Sequence, residues 1–488
     1  MFDISSLIKL IKTNNDKIIQ KAEVETYMKQ NKSPSIFTEY FSTFKDDLDI
    51  NTFNNDLITL SKEAETKNSE TNGIQEKEFH DQFYQIYGYK FKNDEDFESA
   101  FAQALKTANS DAEPENALWR EFESSIPELS QAEIMERINS GRFSYIGTDF
   151  QDKVFEDIDL SGYQEAFRRV NFNEKTFANV SQEHLPEGFN PQEVLEKGKT
   201  IGLGIGEAHK NGYTGSGVSY AIIDSGVEHH NDLKYKEYNV AESAKEHLSW
   251  LNHFHGSAVS YIAQEIAPEA DCYYYATING GNMDKPVLEN LKSILEKNKT
   301  LPENQKIRFV SMSMPLYGGE EAKQVVAELE AQGVWVYYSE CPEDQNRGYL
   351  EKINPNGDPN DFNNYQISAG GAGDLYVNSG DRTVPDPSSP DAYRHDSAAS
   401  RSWSIPVMAG YYTLACQADP SMTKERFMEL AEQTARVQKS TMPNEVCIGE
   451  VPNDENAWIT QGRTSETVDI KIIDINALLQ AIEDSKNN

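Results

Sequence analysis

The chain has 488 residues, more than one hydrophobic core usually organises, so two or three domains are expected. Hydrophobic residues make up 38% of it and charged residues 26%, a balance that suits a folded chain and excludes a disordered one. Against 45 Lys and Arg stand 80 Asp and Glu, and the formal charge of −35 repels phosphate backbones and anionic lipid, which argues against nucleic acid and membrane as partners.

The opening segment, 1–12, has a short apolar stretch but no basic start, long apolar core or small-residue cleavage site, so it reads as an amphipathic helix. No apolar run is long enough to span a bilayer. A cytoplasmic location is expected, with export by a route that needs no N-terminal signal as the open alternative. Residues 1–140 are rich in Lys, Glu, Asp, Asn and Gln, with apolar residues such as Phe97, Phe101 and Leu105 at helical spacing; they read as a helical N-terminal domain of unassigned role. The polar stretch 62–78, containing Asn72-Gly73, reads as a loop.

Over 141–190, a mixed connecting or prodomain-like segment, aromatic and apolar residues recur irregularly (Phe150, Phe155, Ile158, Leu160, Phe167, Val170, Phe172) in the manner of short strands. The run Leu185-Pro186-Glu187-Gly188-Phe189-Asn190-Pro191 is punctuated like a linker. From 191 to 488 short β-type runs at 220–223, 272–276, 309–314 and 334–338 alternate with helical patterns at 285–297 and 320–332, which implies a mostly parallel sheet with helices on both faces. Ligand sites in such folds lie at the carboxyl ends of the strands. The four cysteines, Cys272, Cys341, Cys416 and Cys447, are widely spaced and without a paired pattern, so buried, reduced thiols are expected.

Three stretches of the last part carry chemistry. The run Ser219-Tyr220-Ala221-Ile222-Ile223-Asp224-Ser225-Gly226 is a buried strand ending in a carboxylate, which alone also reads as a turn residue. In Phe254-His255-Gly256-Ser257-Ala258 a histidine opens a helix whose small residues let its first turn approach the sheet closely; alone it also reads as structural. In Ser400-Arg401-Ser402-Trp403-Ser404-Ile405-Pro406 a serine precedes an apolar helix, where unpaired N–H groups and the helix dipole stabilise an oxyanion; alone it also reads as an N-cap.

The order Asp, His, Ser with these flanks resembles the subtilisin-like serine proteases, in a bacterial branch without secretion signals. The lead-in Gly212-Tyr213-Thr214-Gly215-Ser216-Gly217-Val218, the run Ala267-Pro268-Glu269-Ala270, and the spacing of Ser402, Pro406 and Ala409-Gly410 carry the resemblance over about 190–480. It implies a three-layer α/β fold and an endopeptidase in which Ser402 attacks the peptide carbonyl, His255 moves the proton and Asp224 orients it, with no cofactor. The implied partner is a peptide or protein substrate. The N-terminal region is expected to contact the peptidase domain as inhibitor, folding aid or recruiter.

The sequence departs from the family at three places. Ser400-Arg401 stand where Gly-Thr is usual, and Ser400 and Ser404 are rival nucleophiles. The family's asparagine oxyanion donor is missing after 333–339; Asn346 or Gln345 is the candidate substitute. Ser313 and Met314, followed by Pro315, form the candidate substrate-pairing edge with Ser339, and Glu340 is a candidate pocket residue favouring Lys or Arg. A catalytically impaired pseudoprotease that binds peptides is therefore the alternative. Other readings are weaker: Gly202-Leu203-Gly204-Ile205-Gly206 lacks the spacing of a dinucleotide loop, and His229, His230, Asp232 and His253 fit no metal pattern. The acidic loop 354–364 offers oxygen ligands to calcium, while turn chemistry accounts for the same residues.

Overall fold

The structure is a computed structural model that describes residues 18–19, 48–49, 80, 94–108, 118, 121–122, 124–125, 148–150, 153–164, 167, 170–227, 229–245, 253–278, 283–339, 341–345, 347–368, 373–397, 399–441, 445–450, 458–462 and 467–486. The chain divides into two compact units, Met1–Glu128 with Cys447–Gln461, and Leu129–Val446 with Gly462–Asn488.

In the first unit a helix over Asp94–Ala108 buries Phe97, Phe101, Ala104 and Ala108. Their spacing puts them on one face, and Phe97 and Phe101 stack with centroids 6.3 Å apart. Leu105, expected on that face, is half-buried. Ile18–Ile19 pairs antiparallel with Leu48–Asp49, a strand pair in a region expected to be helical. The predicted segment 1–12 and loop 62–78 lie outside the described residues.

The second unit is a three-layer α/β fold. Its elements in chain order are β1 (Val170–Asn173), α1 (Pro191–Gly198), α2 (Ile205–Lys210), β2 (Ser219–Ser225), β3 (Glu237–Val240), α3 (His253–Ile266), β4 (Asp271–Thr277), α4 (Asp284–Thr300), β5 (Ile307–Met312), α5 (Gly319–Ala331), β6 (Trp335–Tyr338), α6 (Pro342–Gln345), β7 (Arg347–Lys352), β8 (Tyr365–Ile367), β9 (Leu375–Asn378), β10 (Arg382–Pro385), β11 (Tyr393–Asp396), α7 (Arg401–Ala418), α8 (Lys424–Gln433), β12 (Arg436–Thr441), β13 (Thr467–Ile472) and α9 (Ile475–Lys486). The central sheet runs β3–β4–β2–β5–β6, every pair parallel.

Alternation along the strands divides the core. Tyr220 and Ile222 of β2, with Tyr274, Phe309 and Trp335, pack against α3 and α7 on one face. Ala221 and Ile223, with Val310, Met312 and Val336, pack against α4 and α5 on the other. This double burial is why β2 reads as a continuous apolar run. From β2 the chain goes to β3 and β4 on one side, then to β5 and β6 on the other, so the carboxyl end of β2 lies at the reversal of strand order where such folds form a crevice.

A mixed sheet, β8–β7–β9–β13–β12, and a smaller one, β10–β11–β1 joined by Thr148–Asp149, complete the unit. The sequence reading set 141–190 apart and made 185–191 a linker; here the segment packs with this unit. Leu185 and Phe189 are buried with Phe150, Phe155, Phe167, Phe172 and Phe177, because the aromatic residues before the punctuated run pack on these two residues within it and on Val194 and Leu195 just after it. Asn190 then caps α1, accepting from the Glu193 N–H at 3.1 Å, with Pro191 in the first turn.

Candidate active site

Asp224 sits near the end of β2 and is 1% exposed. Its Oδ1 accepts from the Ser225 N–H at 2.8 Å, the Ser225 hydroxyl at 3.1 Å and His255 Nδ1 at 2.7 Å. Its Oδ2 is buried with no hydrogen-bond partner among the described residues. His255 lies in the first turn of α3, drawn to the strand by a further bond from the Gly256 N–H to the Ser225 hydroxyl at 3.1 Å. The Tyr274 hydroxyl donates to the Ser225 carbonyl and fixes the strand end from β4. Any side chain at 256 would force a shift: a Cβ there would fall 2.6 Å from the Gly226 carbonyl oxygen and closer still to that of Ser225.

The His255 side chain is 28% exposed. Burial presses its pKa down, but the charge of Asp224, the hydrogen bond to it and the charge of Asp396 outweigh burial, and the net shift is upward. Because the carboxylate accepts at Nδ1, that nitrogen carries the proton and Nε2 is left as the base in the neutral ring.

Ser402 lies in the first turn of α7, and the Ser313 hydroxyl donates to its carbonyl at 2.8 Å. The next residue, Trp403, stacks on the His255 ring with centroids 5.3 Å apart and planes 28° from parallel. No hydrogen bond joins His255 to the Ser402 hydroxyl in this structure. The rival serines differ: Ser404 is fully buried with its hydroxyl bonded to the Arg401 carbonyl at 2.8 Å, and Ser400 is the N-cap residue of α7 without a side-chain cap bond. Helix α7 approaches α3 closely, a Cβ on Gly410 meeting the Ile266 side chain at 2.5 Å.

Of the candidate substrate-binding residues, Ser313 lies against Ser402, and its neighbour Met314 accepts from the Ser339 N–H at 3.0 Å. Glu340, Asn346 and the side chains of Gln345 and His253 lie outside the described residues. Sequence reasoning passed over Asp344 of α6, whose fully buried carboxylate meets Arg401 Nε at 3.1 Å. Arg401 Nε also donates to the Tyr349 hydroxyl at 3.0 Å, so this bulky cation directly before the serine is drawn toward β7. It also passed over Trp403, for which the only signal was its place directly after the serine, and Asp396, for which there was none.

The remaining candidates have other partners. The Asx residues of 354–364 close their own turns: Asn354 accepts from the Asn356 N–H, Asp358 from Asn360 and Asp361 from Asn363, at 3.0, 2.8 and 2.9 Å. Gly202 has φ +72° and lies against the Pro359 carbonyl, so that glycine serves a close crossing of this loop. His230 contacts the Ala392 carbonyl at 3.2 Å and Asp232 accepts from the Tyr393 hydroxyl. Among the described residues no group of three His, Cys, Asp or Glu side chains is placed to hold a metal. Cys272, Cys341 and Cys416 are free and buried.

No protein-family model matches the chain, and no curated protein does. Among solved structures the chain is similar to MycP1 from the ESX-1 type VII secretion system, at 15% identity, covering 57% of this chain and 83% of that one, with a TM-score of 0.36. It is also similar to MycP1 with the N-terminal propeptide removed, at 15% identity, 57% and 94% coverage and TM-score 0.36. The subtilase cytotoxin SubAB assembly gives 12% identity, 58% and 96% coverage and TM-score 0.40.

Proposed function

We propose that the chain is a subtilisin-like serine endopeptidase that cleaves peptide bonds through an acyl-enzyme, without a cofactor, and acts in the cytoplasm. One observation carries the reading: a carboxylate buried at the crevice end of the sheet holds a half-buried imidazole by a 2.7 Å bond, beside the helix start that bears a serine. Ser402 attacks the scissile carbonyl as His255 Nε2 takes its proton, and the same nitrogen returns the proton to the leaving amine. Asp224 holds the tautomer and stabilises the imidazolium. The first-turn N–H groups of α7 face the developing oxyanion, with Asn346 as the proposed side-chain donor. The substrate pairs along Ser313 and Met314, with Ser339 and Glu340 lining its pocket.

Two observations favour a second reading, a pseudoprotease that binds peptide without turnover: the base and the serine share no hydrogen bond, and the residue before the serine is tied to Asp344. Catalytic hydrogen bonds are often long before substrate is bound, so the enzyme remains the stronger reading. Labelling with a fluorophosphonate probe decides between them. The enzyme labels in the intact chain and not in Ser402→Ala; a chain that never labels, or labels equally in both, removes Ser402 as nucleophile.

A further inference from the structure

His255 is held at one ring nitrogen only. The bond to Asp224 directs Nδ1, but a single hydrogen bond tolerates tilt of the ring away from the ideal angle, and no second hydrogen bond arrives from Ser402. The flat contact with Trp403 removes that freedom, since its centroid separation of 5.3 Å and tilt of 28° are those of a stack. Trp403 is itself fixed, 5% exposed and met from another side by the edge of Phe254 at 6.0 Å, over which the Arg394 guanidinium lies at 2.9 Å.

We infer that Trp403 is a positioning residue for His255, its indole face setting the plane of the imidazole and stabilising the imidazolium formed when the serine proton is taken up. An aromatic face attracts a cation lying within about 6 Å of its centroid, so the stack favours the charged ring over the neutral one. The charged groups acting on the ring are Asp224 from β2 and Asp396 from β11; Arg394 lies over Phe254, which meets Trp403, and Arg401 at the start of α7 is paired with Asp344. Because Trp403 directly follows Ser402, the contact also ties the base to the turn that carries the nucleophile. The role rests on the peptidase reading, while the contact does not.

The test uses full-length Ser402→Ala protein with labelled histidine, the His255 resonance being identified by its loss in His255→Gln. Trp403→Met keeps an apolar filler without the aromatic face and is expected to lower the His255 pKa by roughly half a pH unit, with Trp403→Phe lowering it less. Equal values in all three, each folded by near-ultraviolet circular dichroism, overturn the inference. Should the Met variant not fold, the unsubstituted indole is the reporter. Its emission, taken as the difference from Trp403→Phe, is expected to fall as the imidazole protonates, and an identical pH profile in His255→Gln overturns the inference. Neither readout needs turnover: a chain that resists fluorophosphonate yet keeps these titrations loses the peptidase reading and keeps the contact. In a chain that labels, Trp403→Met lowers kcat with KM little changed and moves the acid limb down by the same half unit.

Discussion

The closest approach in the candidate site is made by a residue with no side chain, which makes Gly256→Ala a sharp perturbation. The added methyl would lie 2.6 Å from the Gly226 carbonyl oxygen and nearer still to the Ser225 carbonyl oxygen and the Tyr274 hydroxyl, where ordinary contact begins at 3.4 Å. Both carbonyls belong to the end of β2 or its first turn, and β2 is paired on both edges, so α3 has to retreat by about 1 Å. That takes the 2.7 Å bond between His255 and Asp224 beyond hydrogen-bond range. Overpacking costs about 1–3 kcal/mol of stability, and loss of a charge-assisted bond about 1.5–3 kcal/mol of transition-state stabilisation, a rate loss of roughly 10- to 100-fold. The assay is the rate of fluorophosphonate labelling and peptide hydrolysis, with thermal unfolding alongside. Gly206→Ala in α2, where a Cβ meets nothing within 4 Å, is the control and is expected to be neutral or stabilising by about 0.5–1 kcal/mol. A Gly256→Ala chain that labels as fast as the unsubstituted one refutes the reasoning.

Five further outcomes follow from the structure. Peptide hydrolysis needs neutral His255, so kcat/KM is expected to fall as pH drops through a value above the ordinary imidazole pKa of about 6.5; Asp224→Asn removes the charge that offsets burial, moving that limb downward as kcat falls by about 10⁴. For stability the sign is the reverse: the raised folded-state pKa adds stability that is complete below about 6.5 and lost as pH rises through the folded value, a difference that melting curves of His255→Gln reveal. Arg401→Met leaves the buried Asp344 carboxylate short of a partner; since Arg401 is 41% exposed, urea unfolding should read a loss of about 1–2 kcal/mol, partly restored by Asp344→Asn. Burial pushes the thiols of Cys272 and Cys416 up to about 12 and that of Cys341 to about 11, so these three should resist a thiol reagent at mildly alkaline pH until denaturant is added. A chain beginning at residue 191 loses β1 and the aromatic cluster that includes Phe172, Phe177 and Phe189, which uncovers Val194 and Leu195 and the edge of β11; aggregation or slow labelling is expected, and full-rate labelling counts against the packing argument.

The central sheet was legible because parallel strands buried on both faces cannot hide in a sequence. Predicted runs at 220–223 and 272–276 fall within β2 and β4, and the predicted helices fall within a residue of α5 and inside α4. The small residues after His255 were equally legible, since a helix start that meets a strand end must lack bulk there. What the sequence hid was long-range pairing. Nothing local to Asp344 in Cys341-Pro342-Glu343-Asp344 marks it as the buried partner of a residue far along the chain.

The misplaced boundary has the same origin. Proline and glycine over 185–191 punctuate the backbone whether the chain leaves the domain there or only turns, and local chemistry does not separate the two. The separation comes from β1, whose Phe172 and Asn173 register with His395 and Arg394 of β11, and from Asn171, whose Oδ1 accepts both the N–H and the hydroxyl of Ser397 at 2.8 Å. Asp396, whose charge acts on His255, stands between those two anchors. The segment read as a connector thus holds the strand that leads into the Ser402 turn, and Phe172 against the His395 ring at 5.4 Å adds an aromatic contact to the ladder. A seam built from one asparagine and a short strand has no periodicity to betray it, yet it sets the approach of the chain to the serine as surely as Gly256 sets the approach of the histidine.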